Sequence, residues 1–429
     1  FTLWAESMSN WPDARRTSTL TGLVRLGVGV YTAGGEVLGS AEWMPKDGRP
    51  FRTAFQMIDT DRLSDPTTIA YTARVKGGVE QDEYGAPVAY HIRKKHPGEI
   101  KLRAIDWLDV WKWDRIPARK PWGRQMILHI FEPMRADQSR GVASMVTALT
   151  EMRMTKAFRK TELERAVVAA TYAASIESDL PPGDAYAAMG GGGTENPSMA
   201  WVNDYLASLD EYSGGAKNLH LNGSKIPVFL PGTHLKIQNP GANGPVGDKF
   251  EQSLLRHIAA ALNISYEQLS KDYSQTNYSS ARASMAETWR GMQSRKKLVA
   301  DRIANFIYRL WMEEAINRDM LESLKRRNVP AFYDGLNADA YCACEWIGAG
   351  QGLIDPLKET QADALALTHH LTTLESVIAR RSGGDWRAVL RQIAREKAAE
   401  KTMIGDSVYD QDKQNMTNSL SGSPQERQS

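Results

Sequence analysis

Between residues 17 and 120, short runs rich in β-branched, aromatic and aliphatic residues alternate with Gly, Pro and Asp. The runs are Leu23 to Tyr31, Glu36 to Glu42, Phe51 to Ile58 and Gly78 to Tyr90. This alternation predicts antiparallel strands, with a hairpin turn at Asp82-Glu83-Tyr84-Gly85. Val142 to Ser178 then contains neither Gly nor Pro, and Ala, Met, Glu, Arg and Lys dominate it. That stretch predicts one helix, begun after Gly141 and stopped before Pro181-Pro182, on the order of 50 Å long. Residues 180–250 change character: a Gly run at Gly190 to Gly193, a short helical segment near Pro197 to Leu209, and a hairpin around His220 to Ile237 with Gly223 and Pro231-Gly232 as turns. A helix from Asp248 to Leu262 and a polar stretch from Asn263 to Ser280 come next. The longest predicted helix runs from Ser280 to Arg327 and ends before Pro330. Pro356 to Arg381 and Asp385 to Thr402 also read as helical, separated by Ser382-Gly383-Gly384. The remaining tail has too few apolar side chains to offset ordering entropy and is expected to be disordered. The class is α+β, mainly α-helical.

Composition narrows the functions available. The chain has 429 residues, enough for two to four domains. With 53 basic and 51 acidic residues the net charge is +2, too balanced to wrap nucleic acid by bulk charge. The charge is unevenly spread, since residues 281–327 carry 11 Lys or Arg against 6 Asp or Glu. No apolar stretch of about 20 residues is present, which excludes a membrane-spanning helix. The two cysteines, Cys342 and Cys344, form no disulfide framework and suit a reducing compartment. A start at Phe1 without a leader reads as a fragment or processed form.

Catalytic chemistry finds little support. A phosphate-binding loop needs Gly-x-x-x-x-Gly-Lys-Ser/Thr, and neither Gly190 to Thr194 nor Gly214-Gly215-Ala216-Lys217 supplies it. His369 and His370 are adjacent and so diverge on a helix, where exposed polarity is the simpler reading. Cys342 and Cys344 lack the second pair a zinc site would need, so small buried hydrophobes are preferred. Glu313-Glu314 are neighbours rather than carboxylates facing across a cleft. Trp107, Trp111, Trp113 and Trp122 interleave with Lys112, Arg115, Arg119, Lys120 and Arg124. Stacking on bases is conceivable there, but packing of a β-domain or subunit interface is preferred. No cofactor, metal or catalytic residue is expected.

Several segments together resemble the portal proteins of lambda-type tailed bacteriophages. The most specific are HIFEPMRADQSRG at 129–141, FEQSLLRHIAAALNISYEQLSKDYSQTNYSSARAS at 250–284 and CEWIGAGQGLIDPLKE at 344–359. FRTAFQMI at 51–58, YAASIES at 172–178 and KIPVFLPG at 225–232 support them. The insert at 180–220 and the tail beyond 385 match weakly. The resemblance implies a portal fold: a β-rich wing at 1–141, a first stem helix at 142–178, a clip at 179–247 and a second stem helix at 248–267. A tunnel loop at 268–280, a long wing-crossing helix and further wing at 281–355, a crown at 356–403 and a disordered tail at 404–429 complete it. It further implies a ring of about twelve copies at one capsid vertex. Double-stranded DNA would pass through that ring, with the large terminase subunit, capsid and scaffold proteins and a head-tail connector or adaptor as partners, and no membrane. The expected setting is the virion, with host cytoplasm during assembly.

Translocation needs weak, replaceable contacts with phosphates, because each fixed cation adds affinity. The candidate channel loop meets that need: Tyr273, Ser274, Gln275, Thr276, Asn277, Tyr278 and Ser279 are uncharged, with Lys271 and Arg282 at the edges. Mixed charge on the first long helix (Arg153, Lys156, Arg159 and Lys160 beside Glu151, Glu162 and Glu164) can complement a neighbour in a ring. Two other classes stay in view: a phage nucleic-acid enzyme such as a nuclease or packaging ATPase, and a scaffold or adaptor that binds protein alone.

Overall fold

The computed structural model describes residues 1–46, 48–66, 74–98, 111–171, 219–221, 224–226, 245–274, 276–324, 329–350, 352 and 355–404. In chain order, helices α1 (Thr2–Ala5) and α2 (Leu20–Gly34) precede strands β1 (Glu36–Trp43), β2 (Thr53–Ile58), β3 (Val75–Lys76), β4 (Val79–Gln81), β5 (Pro87–Arg93), β6 (Trp113–Pro117) and β7 (Ile127–Phe131). A 3-10 turn at Ser144–Ala148 leads into α3 (Leu149–Thr171), then β8 (Leu219–Leu221), β9 (Ser224–Ile226), α4 (Pro245–Leu262) and α5 (Tyr266–Ser270). Helix α6 (Tyr278–Arg295) continues through a π-helical segment, Lys296–Ala300, into α7 (Asp301–Asn317), and α8 (Asn337–Tyr341), α9 (Pro356–Thr368), α10 (Leu374–Ser382) and α11 (Trp386–Ile404) follow. The described chain is mainly helical with small antiparallel sheets. It divides into two compact units, Phe1–Ser144 with Tyr273–Ser429, and Met145–Asp272.

In the first unit a three-stranded sheet has the order β2-β1-β7, and a four-stranded sheet the order β3-β4-β5-β6. Central strand β1 is buried on both faces. Alternation sends Val37 and Ala41 into one core and Leu38 into the other. The larger core is built on α7, whose Ile303, Phe306, Ile307 and Leu310 recur at helical spacing and are all nearly inaccessible. The smaller core joins Leu38, Ile58 and Ile127 to Val79, Tyr90 and Ile92 of the second sheet. One buried carboxylate ties α7 to β2: Glu314 accepts the backbone N–H groups of Arg52 and Thr53, each at 2.8 Å, and pairs with Arg318 at 2.9 Å.

Five local expectations change. The first long helix, expected from Val142, becomes α-helical at Leu149, because Ser144–Ala148 form a 3-10 turn. Leu23 to Tyr31, read as a strand, lies in helix α2. Its β-branched residues suggested extension, but Leu20, Leu23 and Gly27 bury one helical face and the Thr19 hydroxyl caps the start. The long basic helix ends at Asn317, ten residues before the expected Arg327. Asp319 turns left-handed (φ 49°) and the Met320 N–H closes back on the Ala315 carbonyl. The expected helix from Pro356 to Arg381 is two, because His370 is left-handed (φ 56°) and Thr373 caps a new start at Leu374. The polar stretch from Asn263 to Ser280 contains a short helix, α5. Elsewhere β1 and β2 match the expected runs, and the Asp82 carboxylate builds the predicted hairpin turn by accepting from the N–H groups of Tyr84 and Ala86.

In the second unit α3 and α4 pack through an edge contact of Phe158 with Phe250, centroids 5.4 Å apart, and a 2.6 Å bond from Arg159 to Glu251. The first helix is described as far as Thr171, so 172–178 lies outside the described residues. Of the expected 179–247 insert, β8 and β9 pair antiparallel, with His220 opposite Lys225. Gly190 to Gly193, Pro197 to Leu209, Gly214 to Lys217, Gly223 and Pro231-Gly232 lie outside the described residues, as does the tail from 405.

Gly35 ends α2 with φ 83°, and a Cβ there would sit 2.2 Å from the carbonyl carbon of Val142. Gly35→Ala therefore imposes a left-handed alanine and a backbone clash. It is expected to cost roughly 2–4 kcal/mol, read as a lower midpoint in urea unfolding.

Candidate functional site

The candidate loop is built by two helix ends. Ser265 caps α5 by accepting from the Gln268 N–H, and Lys271 closes that helix in the left-handed region (φ 61°), its N–H bonded to the Glu267 carbonyl. Lys271 is exposed and belongs to the second unit. Tyr273 and the rest of the loop belong to the first unit, so the segment is where the chain returns from one unit to the other. There Thr276 folds back on Tyr273, its hydroxyl donating to the Tyr273 carbonyl at 2.8 Å.

Asn277 then forms a capping box: its Oδ1 accepts from the Ser280 N–H at 2.8 Å, and the Ser280 hydroxyl accepts from the Asn277 N–H at 3.1 Å. The backbone of Tyr278 opens α6, and Ser279 and Arg282 lie exposed on its first turn. Tyr273 and Ser274 are exposed as well, while Gln275 lies outside the described residues. Thr276 and Asn277 thus shape the turn, and Lys271, Tyr273, Ser274, Ser279 and Arg282 face solvent on either side of it. Past its first turn α6 stays polar and buries Thr288 alone among its described side chains.

A second constellation lies in the 129–141 motif. Glu36 at the start of β1 is buried, and the motif's two ends converge on its carboxylate. His129 Nε2 lies 3.1 Å from Oε2, Arg140 donates to both oxygens, and the Gly141 N–H donates to Oε2 at 2.8 Å. Arg140 also donates to the carbonyls of Thr60, Leu63 and Gly77. Gly141 must lack a side chain, since a Cβ would meet the Gly35 carbonyl oxygen at 2.3 Å. Burial disfavours the charged carboxylate, but the bonds from His129, Arg140 and Gly141 outweigh it and hold Glu36 at about 2. Between these anchors the segment 132–137 is exposed. Gln138 braces it by accepting from the N–H groups of Met134 and Arg135 and donating to the Arg140 carbonyl. Sequence reasoning valued this motif for resemblance alone. Its partner Glu36 lies about a hundred residues earlier and carries no local signal.

The remaining candidates are structural. Glu313 is buried against Arg124 at 3.2 Å, and burial raises its carboxyl pKa. Cys342 is half-buried, its thiol pushed up to about 11 by burial, and Cys344 donates to Asn305. Trp111 and Trp113 hold the Arg93 guanidinium over their rings at 5.4 and 5.0 Å, so they clamp a cation of their own sheet. Trp107 lies outside the described residues. Among the described residues one group, Asp59, Asp61 and His96, gathers possible metal-ligating atoms within 4.8 Å. His96 Nδ1 accepts from the Gly98 N–H, which leaves the proton on Nε2 facing the carboxylates, a donor rather than a ligand. On α3, Lys160 and Arg165 pair with Glu164 and Glu162, and Arg159 with α4, whereas Arg153 and Lys156 form no ion pair among the described residues.

A family model for the lambda family of phage portal proteins matches residues 1–296. The portal protein of Escherichia phage N15 is 35% identical over 387 residues, covering 90% of this chain and 70% of the relative. The chain belongs to the lambda family of phage portal proteins. Portal protein B of Escherichia phage lambda is 34% identical over the same length, covering 90% of this chain and 69% of the relative. Among solved structures, a chain in the neck of an empty GTA particle aligns with 14% identity and a TM-score of 0.38, covering 87% of this chain and 81% of that one. That overlap is too loose to carry an argument, and the assignment rests on the family. Membership makes this portal-family chain a structural component of a phage head-tail connector.

Two outcomes follow from the geometry. Glu36 lies below the ordinary 4.5 of a glutamate, so its stabilisation is present above about pH 4.5 and lost as pH falls towards 2. On the order of 3 kcal/mol should disappear across that window. Unfolding curves of Glu36→Gln should be flatter there than those of the parent chain. Asn277→Ala should cost about 1 kcal/mol of helix start, seen as faster hydrogen exchange across the first turn of α6 with the rest of the chain unchanged.

Proposed function

We propose that this chain assembles as a dodecameric ring at one vertex of a phage capsid. In that reading the ring is the conduit for double-stranded DNA during packaging and ejection, and the docking site for the large terminase subunit and then for head-tail connector proteins. The observation that carries it is the family match over residues 1–296, with relatives at 34–35% identity across 90% of the chain. Residues 1–141 and 281–355 would be the wing, 142–178 and 248–267 the stem, 179–247 the clip and 356–403 the crown. The ring is built in the host cytoplasm with capsid and scaffold proteins, and it binds no cofactor. It is not an enzyme; the motor work belongs to its partner.

The channel loop is assigned to 268–280. Its build favours sliding over gripping. The capping box and the Thr276 bond hold the turn in one shape without help from DNA. The exposed Tyr273, Ser274 and Ser279 offer neutral groups that exchange bonds with phosphates and water, and Lys271 and Arg282 supply modest attraction at the edges. A stiff, mostly neutral collar lets a duplex pass without a deep energy well.

Electron micrographs of the purified chain should show closed rings with an axial hole; a monomer under every assembly condition would sink the reading. Replacing 273–280 by a short Gly linker should leave rings intact and reduce the yield of DNA-filled heads. Unchanged packaging and retention would remove the loop's role. Incubation with DNA and divalent metal should give no cleavage.

A further inference from the structure

We propose that the outward side of α6, continued by the first turn of α7, is a ridge that binds the phosphates of duplex DNA through Arg290, Lys297 and Arg302, in line with Arg282. The inference rests on the conduit reading above for the presence of DNA, and carries the contact from the loop onto the helix behind it.

The basic excess at 281–327 has two fates among the described residues. Part of it is spent within the fold: Lys296 donates to Asp301 at 2.8 Å and to the Trp346 carbonyl at 2.6 Å, while Arg309 bonds Asp339 and Arg318 bonds Glu314, both at 2.9 Å. Arg295 is half-buried, and Lys325, Arg326 and Arg327 lie outside the described residues. The other part stays open. Arg282, Arg290, Lys297 and Arg302 are exposed and form no ion pair among the described residues. From Tyr278 to Ala300 the one acidic residue is Glu287, so α6 itself offers little to neutralise them.

The π-helical segment puts these four cations on one side. In an unbroken α-helix Arg302 would lie about 200° around the axis from Arg282, towards the side on which Thr288 is buried. Lys296–Ala300 takes up one extra residue, and the angle closes to about 100°, with Arg290 and Lys297 between. Val299 and Ile303 face the core instead, each nearly inaccessible. From Arg282 to Arg302 the ridge is about 30 Å long, close to one turn of B-form duplex.

The side chains between the cations favour a polyanion over a protein partner. Ala283, Ala286 and Gln293 share that sector and are exposed, whereas the exposed Met285 and Met292 fall outside it by about 60° or more. A protein interface needs a buried aromatic or aliphatic anchor, and the ridge has none to offer among the described residues. Phosphates need cations within reach and nothing else, and Arg and Lys supply them without reading bases. Each such contact is screened by salt, so the ridge attracts a duplex without fixing its position along the groove.

Fluorescence anisotropy of a labelled duplex of about 30 base pairs, with the full chain at about 50 mM salt, tests the ridge. The parent should bind two duplexes of unrelated sequence equally well. Arg290→Gln, Lys297→Gln and Arg302→Gln together should weaken binding by about tenfold or more, and should lower the slope of log affinity against log salt by about 2 to 3. The melting temperature should not change, because all three side chains are exposed. A triple variant with the affinity and salt slope of the parent overturns the ridge, and so does one that loses rings while keeping its DNA affinity, since the contact is then with protein. Closed rings beside an unchanged affinity leave the conduit reading standing without the ridge. A parent that forms no ring, but whose affinity falls as stated in the triple variant, keeps the ridge and overturns the ring.

Discussion

The buried carboxylate of Glu36 is the constraint on which the first unit depends. It opens the strand that both cores share, and it binds one residue of β7 together with two from the end of the following loop. A lone carboxylate in that position would be too costly to keep ionised. Three donors make it affordable, and Arg140 extends the grip to the backbone at Thr60, Leu63 and Gly77. Residues 132–137, between these anchors, stand outward in a shape braced by Gln138.

Much of the helical plan could be read directly. The run ending at Leu262 has the composition and punctuation of a helix and lies where expected, and the stretch after Gly141 is α-helical from Leu149, past a 3-10 turn at Ser144–Ala148. Strands β1 and β2 were equally plain. Helix α2 was not, because Val24, Val28, Val30 and Tyr31 mimic a strand, and the packing that overrides them comes from α7, far along the chain. The ends at Asn317 and Thr368 were hidden for a different reason. Left-handed Asp319 and His370 are not the glycines that usually announce a stop.

The candidate loop was legible as polar and uncharged, but not as structured. Its hydroxyls and amide looked equally available; the structure spends Thr276, Asn277 and Ser280 on the turn itself. Nothing local could have disclosed the Glu36 network, whose members are about a hundred positions apart. Long-range polar convergence of this kind leaves no period in the chain and becomes visible after folding.

The π-helical segment between α6 and α7 has one more effect. The rod from Tyr278 to Asn317 is anchored at its far half by the largest core, while its near half carries the polar turn. Widening the helix by one residue shifts its angular phase, so the azimuth at which Ser279 and Arg282 emerge is set by five residues about 25 Å away. Each residue gained or lost there swings them by about 100° around the axis, with no change in either the anchor or the turn.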